Sequence, residues 1–233
     1  MVFLVYNVPH MNKKLIVISI TAIIGFVVLA YFSTNKPVPT EFPEQAQVRT
    51  PNASDSAKII DHTLGKGKHV LVEYSDLQCP ACQAVHNYLS TEKKNDSNFA
   101  KIMEEQYTFV YRHYPLIRIH KNAEIAARSA EAAALQGKYY EFLDEAFKTQ
   151  KEWSEMAKAR EFFVDIAKTL GLEEEQFVKD VDSVGVTEKI GADIALADKA
   201  NIRGTPTFFI DGELVEFGSF DQLKKSIIDS AKN

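Results

Sequence analysis

The chain has two cysteines in 233 residues, and both lie in the stretch Gln78-Cys79-Pro80-Ala81-Cys82-Gln83. The apolar run from His69 to Tyr74 precedes them and predicts a strand that is buried on both faces. Pro80 favours a helix that begins directly after Cys79. This order places the Cys79 sulfur at a helix N-terminus, where free N–H groups and the helix dipole stabilise a thiolate. Cys82 lies one turn further along, so the pair can pass between dithiol and disulfide with little backbone movement.

Three other uses of a cysteine pair compete with redox exchange. Structural zinc needs four ligands, and the single Cys-x-x-Cys with His86 supplies only a partial set. Attachment of a c-type haem needs a histidine directly after the second cysteine, and Gln83 excludes it. An inert disulfide remains an alternative, although so short a loop adds little stability. The sequence therefore favours a redox pair and predicts neither a metal site nor a cofactor.

Composition limits the class of protein. Hydrophobic residues make up 45% and charged residues 25%, which is typical of a globular domain with a full core. The net charge of −5 argues against nucleic acid as a main partner. Two cysteines are too few for a scaffold held together by disulfides.

The N-terminal part predicts export. Residues 15–32 form an uncharged apolar run of 18 residues, about 27 Å long as a helix, close to the ~30 Å hydrocarbon core of a bilayer. The lysines that precede this run predict a cytoplasmic segment 1–14, a transmembrane or signal-anchor helix 15–32 and an extracytoplasmic remainder. A signal peptide cleaved after Ala30 and a buried core helix are the alternatives. Translation from Met11 instead of Met1 also stays open.

Beyond this run, residues 33–58 read as a proline-rich linker. The sequence then predicts a domain 59–233 with a strand at 69–74, a helix from Pro80 to Leu89, a polar break at 93–98, a short helix and a strand at 107–111. An inserted helical block follows at about 119–201. A strand at 207–210, the turn Asp211-Gly212, a strand at 213–215 and a helix from Phe220 complete a βαβ–helices–ββα order.

Two further features are candidate site elements. Glu73 interrupts the apolar strand before the cysteines; it is either a buried carboxylate that could exchange a proton with Cys82 or a solvated residue at an exposed strand end. Thr205-Pro206 stands where a turn enters a strand, and its peptide bond is either cis, leaving Thr205 backbone for a substrate peptide, or ordinary trans.

Together these residues resemble the DsbA-like thiol:disulfide oxidoreductases of the thioredoxin superfamily, in their membrane-anchored bacterial form. The matching stretches run from Glu73 to Cys82, from Tyr111 to Leu116 and from Arg203 to Ile210. The resemblance implies a thioredoxin fold with a helical insertion. It also implies that Cys79 is the exposed nucleophile, Cys82 the buried resolving thiol, Glu73 the buried proton acceptor, Thr205 a substrate-binding residue and Pro206 cis.

The same resemblance implies a function. We expect an enzyme at the cell membrane, with a single span and its domain on the extracytoplasmic side, that donates the Cys79–Cys82 disulfide to reduced exported proteins. A quinone-linked membrane oxidase would reoxidise it. Strong oxidants of the family often carry a histidine between the cysteines, whereas Ala81 follows Pro80 here. We therefore expect a weaker oxidant, and a disulfide reductase or isomerase, or a non-catalytic metal- or peptide-binding module, remains an alternative.

Overall fold

The computed structural model describes residues 60–232. Within this part, five strands form one mixed sheet in the order β1-β3-β2-β4-β5. The strands are β1 (Thr63–Leu64), β2 (His69–Ser75), β3 (Tyr107–His113), β4 (Thr207–Ile210) and β5 (Glu213–Val215).

Helices fill the connections of this sheet. Those of the βαβ unit and the C-terminus are α1 (Pro80–Asn95), α2 (Ser97–Glu105) and α9 (Phe220–Ser230). Those of the insertion are α3 (Ala123–Leu135), α4 (Tyr139–Lys148), α5 (Gln150–Trp153), α6 (Arg160–Thr169), α7 (Glu174–Val181) and α8 (Val184–Lys199).

The central strand β2 carries the site. It runs parallel to β3, with Glu73 opposite Tyr111, and antiparallel to β4, with Glu73 opposite Phe208. Because neighbours flank β2 on both edges and helices cover the sheet, six of its seven residues are buried. A carboxylate in this strand is therefore removed from water.

Two apolar clusters fix the cysteine-bearing helix α1. One side of the sheet packs against α1, α2 and α9 through a cluster that includes Val85 and Leu223. A larger cluster joins Cys79 and Cys82 to aromatic side chains of the insertion, among them Phe147 and Trp153. The insertion thus forms one wall around the cysteines.

A buried ion pair links the segment before β1 to the sheet. The Arg112 guanidinium donates to the Asp61 carboxylate with an Nη2–Oδ2 distance of 2.7 Å, and both side chains are fully buried. Arg112 also donates to the Tyr74 hydroxyl at 2.9 Å. These bonds satisfy charges that burial would otherwise make costly.

The predicted order of strands and helices is confirmed within the described residues, with three corrections. Strand β1 was not predicted; its two residues are exposed and give no apolar pattern. Helix α1 continues to Asn95 instead of ending at Leu89, and the predicted polar break is only Asp96, whose side chain caps α2 by accepting from the N–H groups of Asn98 and Phe99. Strands β2 and β3 run further than predicted, to Ser75 and His113.

The predicted span 15–32 and the linker 33–58 lie outside the described residues. Among residues 60–232, no helix has the length and apolar character needed to cross a bilayer.

Candidate active site

Cys79 lies at the start of helix α1. Its backbone is extended, with φ −70° and ψ 123°, and Pro80 occupies the first turn of the helix. The loop before it is held by hydrogen bonds from the Cys79 N–H to the Asp76 carbonyl (3.0 Å) and from the Gln78 N–H to the Asp76 carboxylate (2.7 Å). The sulfur is therefore positioned beside the free N–H groups of the first helical turn.

The electrostatic environment favours a thiolate at Cys79. A hydrogen bond from the Cys82 thiol lowers the pKa of Cys79 from 9.0 to about 5, against the opposing effect of burial. The neighbouring Thr205 side chain and the N–H groups of Cys82 and Ala81 act in the same direction. Both cysteines are free thiols in this structure.

Cys79 is less accessible than the family resemblance implied. Only 7% of its surface is exposed, against 0% for Cys82. The thiol of Cys79 donates to the Thr205 carbonyl with an Sγ–O distance of 3.5 Å, so the loop before β4 lies across it. Cys79 is more exposed than Cys82, as the resemblance implied, but Cys79 is itself buried beneath the loop that contains Thr205.

Cys82 has the opposite character. Burial, followed by its hydrogen bond to Cys79 and the charge of Glu73, raises the pKa of Cys82 well above 9.0. A thiolate formed at Cys82 is therefore a strong base that recaptures a proton at neutral pH. The two sulfurs, three residues apart, differ sharply in proton affinity.

Glu73 is buried, as one of the two sequence interpretations held. It is 3% exposed, and desolvation raises the pKa of its carboxyl from 4.5 to about 7. The charge of His86 opposes this shift and that of Cys79 adds to it, while Glu73 in turn raises the pKa of Cys82. Such a carboxyl can hold or release a proton near neutral pH, close to the thiol that needs one.

Thr205-Pro206 lies opposite the first thiol. The peptide bond between the two residues is cis, so the cis interpretation is confirmed. The structure thus brings together all five predicted site residues around the start of α1, which are Cys79, Cys82, Glu73, Thr205 and Pro206.

Sequence reasoning missed the residues that hold the site in place. The Gln150 amide, on α5 of the insertion, donates to the carbonyls of Leu77 (2.7 Å) and Cys79 (3.0 Å). Asp76 accepts from His120 Nδ1 at 2.7 Å. Gln150 lies 71 residues from Cys79, and no local pattern signals such a contact. For Asp76, its position between the predicted strand and the cysteines was the only sequence signal of a role in holding the cysteine loop.

Comparison with known proteins identifies the family. The family model described as Thioredoxin matches residues 60–229, which is most of the chain. The chain belongs to the thioredoxin family. A thioredoxin-like oxidoreductase from Silicibacter pomeroyi DSS-3 is 31% identical with a TM-score of 0.58, over 74% of this chain and 92% of that one.

Two further solved structures share the fold of this thioredoxin-family chain. BdbD from Bacillus subtilis, in its oxidised form, has a TM-score of 0.62 at 20% identity and covers 74% of this chain and 94% of its own. The α-DsbA1 of Wolbachia pipientis has a TM-score of 0.60 at 22% identity, over 82% and 98%. The predicted likeness to DsbA-like thiol:disulfide oxidoreductases is thereby confirmed at the level of the fold.

Curated relatives of this thioredoxin-family chain are much longer. The Na(+)/H(+) antiporter NhaA 1 of Mycolicibacterium gilvum (strain PYR-GCK) is 35% identical over 159 residues, which are 66% of this chain and 24% of that protein. The Na(+)/H(+) antiporter NhaA of Herminiimonas arsenicoxydans is 36% identical over 164 residues, again 24% of its length. The chain thus spans about a quarter of these relatives.

Proposed function

We propose that the protein donates the Cys79–Cys82 disulfide to reduced exported proteins. The observation that carries this proposal is the lowered pKa of Cys79, about 5, in a sulfur that borders the cis-Pro loop. A thiolate stable at neutral pH favours the reduced form of the pair, so the disulfide passes readily to a substrate. Ala81 stands between the cysteines where strong oxidants of the family often carry a histidine, so the proposed enzyme is a weaker oxidant than those.

The proposed reaction has two thiol–disulfide exchanges and one proton transfer, carried out by Cys79, Cys82 and Glu73. A substrate thiolate attacks the Cys79 sulfur, the Cys79–Cys82 bond breaks, and its electron pair leaves with Cys82. Because the pKa of Cys82 far exceeds that of Glu73, the Glu73 carboxyl gives its proton to the Cys82 thiolate. A second substrate thiolate then attacks the substrate sulfur of the mixed disulfide, which forms the substrate disulfide and releases the Cys79 thiolate.

The backbone at Thr205 has a proposed role in binding. Its carbonyl lies 3.5 Å from the Cys79 sulfur, so a substrate strand that pairs with the Thr205 backbone would present its own sulfur to Cys79. Pro206 fixes the direction of this loop. These assignments join Thr205 and Pro206 to the catalytic set of Cys79, Cys82 and Glu73.

The proposed setting is the outer face of a cell membrane. The uncharged run 15–32 after a pair of lysines supports a single-span anchor with an extracytoplasmic domain. Each catalytic cycle leaves two extra electrons on the cysteines, so a membrane thiol oxidase, linked to quinone, is the proposed reoxidant. Sodium–proton exchange belongs to the named antiporters and is not part of this proposal.

The test is oxidation of a reduced, unfolded protein substrate by the purified oxidised enzyme. Cys79→Ser and Cys82→Ser should each abolish the reaction, because neither variant can form the Cys79–Cys82 disulfide that is donated. Ser129→Ala, a buried hydroxyl in α3, is the control and should retain full rate. Full activity of Cys79→Ser contradicts the mechanism. A reduction potential against glutathione near −270 mV, about that of thioredoxin, contradicts the direction and favours a reductase.

A further inference from the structure

Three polar side chains lie together beneath Cys82. Glu73 and Ser75 are two residues apart on β2, so they point to the same face of the sheet. Tyr111 is the partner of Glu73 in the parallel register of β3. Their exposed fractions are 3%, 0% and 2%, so water does not reach them.

Each of the three has a polar atom without an ordinary partner. In the part of the chain that the structure describes, Glu73 Oε1, Ser75 Oγ and Tyr111 Oη are all buried and accept or donate no hydrogen bond of normal geometry. Yet the groups are close to one another. The nearby Ser75 hydroxyl lowers the pKa of both Glu73 and Tyr111, and the charge of Glu73 raises the pKa of Tyr111.

Unpartnered polar atoms in a protein interior are rare, because each loses its bonds to water. Two of these atoms belong to hydroxyl groups, whose hydrogens rotate to suit the acceptor that is present. The third belongs to a carboxyl that, under the proposed function, alternates between a neutral and a charged form. A carboxylate offers about four acceptor sites, whereas the neutral acid offers fewer.

We propose that Ser75 and Tyr111 are positioning residues whose side chains shift so that their hydroxyl groups donate to the Glu73 carboxylate as it forms. The inference rests on the proposed function of Glu73. When the Glu73 O–H bond breaks and its proton joins the Cys82 thiolate, a negative charge develops on the carboxylate in a dry site. Two hydroxyl donors close to that charge stabilise it without any movement of the backbone.

Other groups that face Glu73 are less able to stabilise its charged form. Cys79, Cys82 and His86 approach it from α1, and Tyr140 from α4. Tyr140 already donates to the carbonyl of His62 at 2.8 Å, and His86 pairs with Asp144 at 3.0 Å. From β4 the register neighbour is Phe208, whose side chain has no hydrogen-bond donor.

The experiment is a carbon NMR titration of the Glu73 carboxyl in the reduced, substrate-free protein. Ser75→Ala and Tyr111→Phe should each raise the titration midpoint of Glu73 by about one pH unit, because each removes a hydrogen bond to the charged form. Ser129→Ala removes another buried, unpartnered hydroxyl, and Tyr107→Phe removes a buried phenol from the other end of β3. Neither control should move the midpoint.

Midpoints equal to wild type in both test variants overturn the inference. Equal shifts in the controls also overturn it, since they would report general loosening of the core. If Tyr111→Phe does not fold, Ser75→Ala alone decides. The titration measures ionisation of Glu73 and does not require catalysis. An unshifted midpoint therefore contradicts this inference alone, whereas full activity of Cys79→Ser contradicts the proposed function.

Discussion

Substitution of Glu73 by Gln should change how stability depends on pH. Desolvation raises the pKa of Glu73 from 4.5 to about 7 in the folded protein, so between these values the folded state holds a proton that the unfolded chain releases. The folded state therefore loses stability as pH rises through this window, and the loss is complete above pH 7. At about 1.4 kcal/mol per pKa unit, the total is roughly 3 kcal/mol. The Gln side chain does not ionise, so the Glu73→Gln variant does not lose this stability as pH rises.

Urea unfolding of the reduced protein between pH 4 and pH 8 measures this effect. The free energies of unfolding of wild type and Glu73→Gln should be similar near pH 4. The variant should become the more stable protein as pH rises, by roughly 3 kcal/mol at pH 8. Glu104→Gln, at an exposed position of α2, is the matched control and should show no such trend.

A difference that does not change with pH would refute this reasoning. It would mean that the carboxylate is not held in an unfavourable environment, so that Glu73 could not return its proton to Cys82 near neutral pH. A difference of opposite sign would mean that hydrogen bonds to the charged form outweigh desolvation. In either case the proton-transfer role proposed for Glu73 would have to be abandoned.

Three further outcomes are expected. In Cys82→Ala, the pH midpoint for alkylation of Cys79 should rise from about 5, because the largest stabiliser of the thiolate, the Cys82 thiol, is removed. Asp61→Ala leaves the Arg112 guanidinium buried without its carboxylate and should lower the free energy of unfolding by about 3–5 kcal/mol, measured by urea denaturation. At pH 7 the reduced protein should resist urea better than the oxidised one. That advantage should shrink steadily as pH falls below 7 and be nearly lost by pH 5, the pKa of the folded Cys79, because the unfolded thiol has a pKa of 9.0.

The parts of the site that sequence predicted are those with local signals. A Cys-x-x-Cys between an apolar run and a helix start fixes where both sulfurs lie relative to one helix terminus. Glu73 was noticeable because a charge interrupted an apolar strand. Its burial could not be decided from charge pattern, since this depended on β3 and β4 both flanking β2.

The parts that sequence missed depend on register and on long-range contact. Tyr111 faces Glu73 because the parallel pairing of β2 and β3 has one particular register, which no local pattern specifies. Ser75 could have been noticed, because two-residue spacing puts it on the face of Glu73. Gln150 reaches the cysteine loop only because the insertion folds back over α1.

One structural device links the stability of the protein to its chemistry. The residue before a helix commonly caps it with a side-chain oxygen. Cys79 occupies that position without a side-chain cap bond, and the N–H groups of Ala81 and Cys82 favour its thiolate. A sulfur that is an anion can serve as the cap, whereas a sulfur in a disulfide carries no charge to do so. Reduction is therefore expected to stabilise the folded domain. Under the proposed function, thermodynamic linkage makes the same free energy drive transfer of the disulfide to a substrate.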